Sequence, residues 1–188
     1  MKKIGIIFVS VGIVFLLSAC GVNLQENEAS KIINEHFGFP KPVMSYLSGN
    51  ANTDIGQGII KIIQTTGYVV HNPEASGGSV SAALATDFLP TEKGKGIIDG
   101  IDHNGFYDSY TYRGSVVSES LDSIKEILID KETKTAIVKF TTKYEPIEPL
   151  YSSVCINERC QFFGDQISKN PERKIELKKY DKGWRFPE

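Results

Sequence analysis

Ile124-Lys125-Glu126-Ile127-Leu128-Ile129, Asp130-Lys131-Glu132-Thr133-Lys134 and Thr135-Ala136-Ile137-Val138-Lys139-Phe140-Thr141-Thr142-Lys143-Tyr144 read as strand, turn and strand. In the second strand Ala136, Val138, Phe140 and Tyr144 alternate with Thr135, Lys139, Thr141 and Lys143. A period of two puts one face on a core and the other in water, the pattern of an antiparallel sheet. Pro146 and Pro149 end the run. Residues 174–180 read as a further strand with Ile175 and Leu177 inward, and Asp181-Lys182-Gly183 turns it into Trp184-Arg185-Phe186. Residues 116–188 are therefore expected to form a mainly antiparallel sheet.

Upstream the period changes. Asn23 and Glu26 have the spacing of a capping box. Ala29, Ile32, Ile33, His36 and Phe37 then recur at helical intervals, ended by Gly38, Pro40 and Pro42. His36 is expected half-buried on that apolar face. Residues 43–47 read as a short extended piece and Ser48-Gly49-Asn50 as a loop. Thr53 or Asp54 caps a second helix, with Ile55, Ile59, Ile62, Ile63 and Thr66 on one face and Gly67 just past its end. Tyr68-Val69-Val70 reads as a strand, Asn72-Pro73 and Ser76-Gly77-Gly78 as turns, and residues 79–88 as a strand. Residues 97–101 and 106–112 read as two strands joined by Asp102-His103-Asn104-Gly105, because Asn-Gly is a strong hairpin signal. Tyr107, Tyr110 and Tyr112 make this the most aromatic stretch. These rings either pack the hairpin or form a contact surface. Tyr107 and Tyr110 are the candidate contacts, since tyrosine offers a large area at low entropic cost.

The chain has 188 residues, 40% hydrophobic and 23% charged, which excludes a wholly disordered, collagen-like or multi-span membrane protein. Its 21 Lys and Arg against 23 Asp and Glu lack the basic excess that phosphate neutralisation requires, so no nucleic-acid partner is expected.

Lys2 and Lys3 precede sixteen uncharged residues, Ile4 to Ala19, mostly aliphatic. A secretory hydrophobic region is typically about 7–15 residues and a membrane span about 20. The stretch reads as a signal peptide at the long end of its range. It closes on Leu17-Ser18-Ala19-Cys20, which resembles the lipobox of bacterial lipoproteins. The resemblance implies cleavage before Cys20 and acylation of its thiol and new amine. Acyl chains contribute about 0.8 kcal/mol per buried methylene, and more than one is needed for a stable anchor. Residues 1–19 are then a signal peptide and 20–26 a lipidated tether. Residues 27–115 form a helical and winged part ahead of the sheet part. The mature chain keeps 169 residues, with 19 Lys and Arg against 23 Asp and Glu, enough for a core without a disulfide scaffold. The expected address is the cell envelope. In a Gram-negative cell Gly21 is compatible with the outer membrane, facing the periplasm.

Lipid consumes Cys20. Cys155 and Cys160 are separated by Ile156-Asn157-Glu158-Arg159. In an oxidising compartment two cysteines this close are expected to bridge across a tight turn. A zinc site would want about four ligands; there is no second cysteine pair, and His36, His71 and His103 are scattered, so no metal is expected. The bridge would fix the shape of a loop, and fixed exposed loops are common contact surfaces. Ile156, Asn157, Glu158 and Arg159 are thus further candidate contacts.

Two weaker likenesses complete the picture. The second helix, Gly67-Tyr68-Val69, a hairpin and Thr91-Glu92-Lys93-Gly94-Lys95 resemble a winged-helix module over residues 53–100, which implies a scaffold here because the helix carries only Lys61 as a cation. The terminal strand, Asp-x-Gly and Trp184-Arg185-Phe186 are similar to the last hairpin of cystatin-like and NTF2-like sheets. Motifs of chemistry fail: Gly94-Lys95-Gly96 is no P-loop, the run from Asp99 has Ile101 and His103 where a calcium loop needs oxygen, and Gly77-Gly78-Ser79-Val80-Ser81 lacks the last glycine of a nucleophile elbow. The expectation is an α+β fold with N-terminal helices and a winged-helix-like hairpin. Its function would be a non-enzymatic, cofactor-free lipoprotein that sits on a membrane through Cys20 and binds an envelope protein. An immunity, inhibitor or phage-exclusion lipoprotein is the alternative, and an envelope hydrolase the second.

Overall fold

Twenty-two consecutive residues in one strand, Ser109–Asp130, organise the molecule. The fold is seen in a computed structural model whose described residues are 23–75, 86–155 and 170–187. In chain order the elements are α1 (Glu26–Phe37), β1 (Lys41–Asn50), α2 (Asp54–Lys61, continued by a π-helical turn over Ile62–Thr66), β2 (Val69–His71), β3 (Phe88–Pro90), β4 (Ile98–Asn104), β5 (Ser109–Asp130), β6 (Thr135–Pro146), α3 (Leu150–Val154), β7 (Glu172–Tyr180) and β8 (Gly183–Arg185). The strands form one antiparallel sheet in the order β2-β3-β4-β5-β6-β7-β8, with β1 added on β5. β1 and β6 both pair with residues 117–119, so they lie on opposite edges of β5, and β4 and β6 share the other edge one after the other.

β5 buries an irregular sequence by bulging. Leu121, Ile124 and Ile127 recur every third residue, a spacing that a regular strand sends to alternate faces. Register shifts against β6 leave Asp122 and Lys125 unpaired. Each bulge absorbs one extra residue, so Leu121, Ile124, Ile127 and Ile129 all reach the same core. A third shift, against β1, leaves Val116 opposite no partner, fully buried.

Two apolar clusters occupy successive lengths of one face of the sheet. The first joins Ile59, Ile62, Ile98, Ile101, Tyr112, Val116, Val117, Leu150 and Val154 beneath α2 and α3. The second joins Ala29 and Ile33 of α1 to Ala136, Val138, Phe140, Leu177 and Trp184. Tyr112, wholly buried, folds its ring back over Gly114, where a Cβ would stand 2.7 Å from the hydroxyl. That hydroxyl donates to the Ser115 carbonyl at 3.0 Å.

The antiparallel sheet, β6, the β7–β8 hairpin and buried Trp184 meet expectation. Other readings are corrected. Gln25 rather than Asn23 stands at the start of α1, without a side-chain cap, and the Asn23 carbonyl instead accepts from Trp184 Nε1 at 3.2 Å. His36 is exposed, stacked on Phe186 with ring centres 3.5 Å apart. The short piece at 43–47 is a ten-residue strand that takes in Ser48-Gly49-Asn50. Thr53 caps α2, but Ile55 is exposed, and Gly56 and Gly58 face inward beside Ile59. Phe106 and Tyr107 belong to a turn. Past Pro149 the chain makes α3. The winged-helix-like arrangement of the N-terminal helices is not confirmed. The division at 115/116 falls inside β5. Of the strand expected over 79–88, residues 79–85 lie outside the described residues.

Candidate functional site

The β4–β5 hairpin closes with Asn104 opposite Ser109. Between them Gly105, Phe106, Tyr107 and Asp108 form the turn. Asn104 Oδ1 accepts from the backbone N–H groups of Phe106 and Tyr107, at 3.1 and 3.3 Å. This is the side-chain mimic of a turn that asparagine makes readily. Asp108, not Gly105, takes the left-handed conformation (φ 47°). The β1–α2 connection holds the turn from behind: Asn50 Nδ2 donates to the Tyr107 carbonyl at 2.7 Å, and the Ala51 N–H to the Asp108 carbonyl at 2.8 Å. The backbone is pinned and the side chains are not. Phe106 is 87% exposed and Tyr107 65%, their rings edge to face at 4.8 Å.

Below the tip, His103 stacks on Tyr110 at 4.4 Å, and its Nε2 lies 3.4 Å from Asp108 Oδ1. The His103 N–H donates to Asp87 Oδ2 at 2.6 Å. Burial first, then the Asp108 carboxylate, push the Tyr110 hydroxyl above its usual range. Tyr110 packs against the first cluster. On the opposite face of the hairpin Arg113 pairs with Asp102 and donates to Thr86 Oγ1 at 2.8 Å.

Glu119 lies at the junction of the two clusters and is buried. Thr142 Oγ1 donates to it at 2.8 Å, Arg173 pairs with it, and Lys41 Nζ stands 3.5 Å away. The carboxylate is fully engaged with partners from β1, β6 and β7, the arrangement of a structural clasp. A depression of about 410 Å³ over the β7–β8 turn is lined by Lys179, Tyr180, Asp181, Lys182 and Arg185. Two of its cations lie on rings, Lys179 over Trp184 at 5.7 Å and Arg185 over Tyr180 at 4.0 Å. Among the described residues no group of three or more His, Cys, Asp or Glu could hold a metal ion.

The two tyrosines singled out from sequence therefore separate. Tyr107 stands at the exposed tip, whereas Tyr110 is half-buried and packs against the first cluster. Phe106, the most exposed large apolar side chain at this end, was hidden by its reading as strand. Its signal was the Asn-Gly pair: a turn beginning there carries the next two residues with it. Cys155 follows α3 and packs, half-buried, against the first cluster. Cys20, Ile156, Asn157, Glu158, Arg159 and Cys160 lie outside the described residues. No family model, curated protein or solved structure matches the chain.

Proposed function

We propose that this chain is a membrane-anchored envelope lipoprotein that works by binding another protein, not by catalysis, and that Phe106 and Tyr107 are its contact. The observation that carries the contact is the pairing of a fixed backbone with free rings. Asn104, Asn50 and Ala51 order the turn before any partner arrives, so association need not supply that ordering. Two aromatic rings left in water at 87% and 65% exposure then offer apolar area for a partner's pocket. The anchor rests on the Leu17-Ser18-Ala19-Cys20 lipobox, and the Cys155–Cys160 bridge belongs to the same reading.

A photo-crosslinking residue at Phe106 of the full chain, activated in intact cells, should give one discrete adduct with an envelope protein. The same residue at His36, exposed on another element, should not. Tyr107→Ser in the crosslinking chain should reduce the adduct at unchanged melting temperature. Equal adducts from both positions, or none from Phe106, would refute the contact. Cys20→Ala should abolish metabolic labelling by a palmitate analogue; label retained on that variant removes the anchor.

A further inference from the structure

A sheet with ends has edges, and unpaired edges are templates for another strand. Among the described residues this sheet has several, and most are managed. Residues 172–177 of β7, unpaired on the side away from β6, carry Glu172, Arg173, Lys174 and Glu176. β2 and β8 are only three residues long. Residues 120–130 of β5, on the side away from β6, carry Asp122 and Lys125 as bulges and Glu126 and Asp130 besides. Bulges, charges and shortness are the three usual ways of refusing a foreign strand.

The edge of β1 is different. Among the described residues its only strand partner is β5. It is ten residues long, Lys-Pro-Val-Met-Ser-Tyr-Leu-Ser-Gly-Asn, and has no charge after Lys41. Pro42 blocks only its beginning; the eight residues from Val43 to Asn50 all keep their N–H groups. Met44 is 53% exposed and Tyr46 70%, on the face away from the helices.

We propose that the free edge of β1 pairs, antiparallel and about a two-fold axis, with the same edge of a second copy of this chain. In such a pair each residue meets the one equally far beyond the axis. A charge on the axis would face its own copy, and like charges directly opposite are destabilising. The run from Val43 to Asn50 has none. With the axis at Tyr46, the two Tyr46 rings face each other and Met44 faces Ser48 of the copy. The pairing covers the two exposed apolar side chains of the strand. A different protein gains nothing from this edge by charge complementarity, because it has no charge to complement. The inference goes beyond the hairpin contact and does not depend on it.

The test is a cysteine scan of the full chain in intact cells: Met44, Ser45, Tyr46, Leu47 and Ser48 replaced one at a time, with Lys125→Cys as the guarded-edge control and copper phenanthroline as oxidant. Tyr46→Cys should give a covalent dimer on a non-reducing gel, with yield falling on either side and none from Lys125→Cys. A chain carrying both Met44→Cys and Ser48→Cys should also crosslink to its copy. Adding Tyr46→Lys should lower that yield roughly tenfold, because it sets two ammonium groups opposite each other. Tyr46 is exposed, so the fold is kept, which an unchanged melting temperature verifies. Equal yields at all five positions and at Lys125 would mean random collision and overturn the proposal. No dimer at any position overturns it too, as does an adduct whose mass is that of another protein.

Discussion

The two lengths of the sheet are closed in different ways. Under α1 the closure is made of side chains: Ala29 and Ile33 lie on Val138, Phe140 and Leu177, with Phe37, Phe39 and Phe186 around them. Under α2 and α3 the side chains of Ile59, Ile62, Leu150 and Val154 close over the sheet as well, and glycines add close backbone contact. A Cβ on Gly58 would stand 2.3 Å from the Ser153 carbonyl oxygen, and one on Gly56 1.9 Å from that of Asn50. The first kind of core is built on volume and tolerates a change at a graded cost. The second depends in addition on glycines whose contribution is the absence of a side chain. What the contrast teaches is that burial can be assembled by filling space or by vacating it, and only filling leaves a hydrophobic period in the sequence.

The contrast can be broken most sharply on the half under α1. Trp184→Ala should destabilise the chain by about 3–5 kcal/mol, the usual cost of emptying a buried aromatic site. Chemical denaturation followed by far-UV circular dichroism reads it, and an unchanged midpoint would show that the terminal hairpin adds nothing to the second cluster.

The junction comes next. Arg173→Ala leaves the buried Glu119 carboxylate with Lys41 at 3.5 Å and the Thr142 hydroxyl. The loss should be about 2–3 kcal/mol, below the about 3–5 of a fully buried pair, because Arg173 is one-third exposed. A replacement costing under about 0.5 kcal/mol would reduce the clasp to a surface ion pair.

On the half under α2 and α3, Gly58→Ala should cost about 1–3 kcal/mol through overpacking against α3. Its main use is diagnostic. Trp184 is the only tryptophan and sits in the other cluster. Because β5 runs through both, Trp184 fluorescence and circular dichroism should shift together. Two separated transitions would show that the halves unfold as independent units.

The smallest effect is at Tyr112. Burial, then Tyr68 and Asp99, hold its hydroxyl above the ordinary value of 10.0. The native state therefore keeps a proton that the unfolded chain loses. Stability from this group is complete below about pH 10 and is lost as pH rises beyond it. Tyr112→Phe should cost about 1 kcal/mol at neutral pH, from the hydrogen bond to Ser115, and should flatten the alkaline limb of the stability profile. An equally steep limb in the variant would assign it to other groups.

Legibility followed the same division. β6, β7, the terminal hairpin and the apolar stripe of α1 could all be read, because each shows a period of two or of helical spacing over a half-buried element. The sequence shows β5 only in pieces, residues 109–112 at the end of the strand expected over 106–112 and residues 124–129. Its first half, Ser109 to Glu119, is rich in Ser, Thr and Tyr and is covered on both edges by strands, so it shows no alternation. Its second half hides a strand under three-residue spacing that only Asp122 and Lys125, as bulges, convert into one face. α3 is a single turn of helix and has no period to detect. Within the candidate site, Tyr107 could be singled out by type, but the exposure of Phe106 and the half-burial of Tyr110 follow only from where the turn is placed. Nothing local distinguishes Glu119 from the other acids; its burial is decided by Lys41, Thr142 and Arg173, each distant in sequence.

β5 also has a mechanical meaning. At about 3.3 Å per residue its contour is about 70 Å, shortened by its bulges. One end adjoins the Phe106–Tyr107 turn. The other adjoins the turn whose Lys134 carbonyl accepts from Lys179, beside the β8 tryptophan that holds Asn23. Tension applied between the start of α1 and the tip would therefore run along β5. Its ladder bonds to β1, β4 and β6 lie across that direction, so a pull in line with the strand must shear many of them together. The same force applied to β8, three residues long, would peel its pairs one after another. The chain is stiff along the line that joins Asn23 to the Phe106–Tyr107 turn.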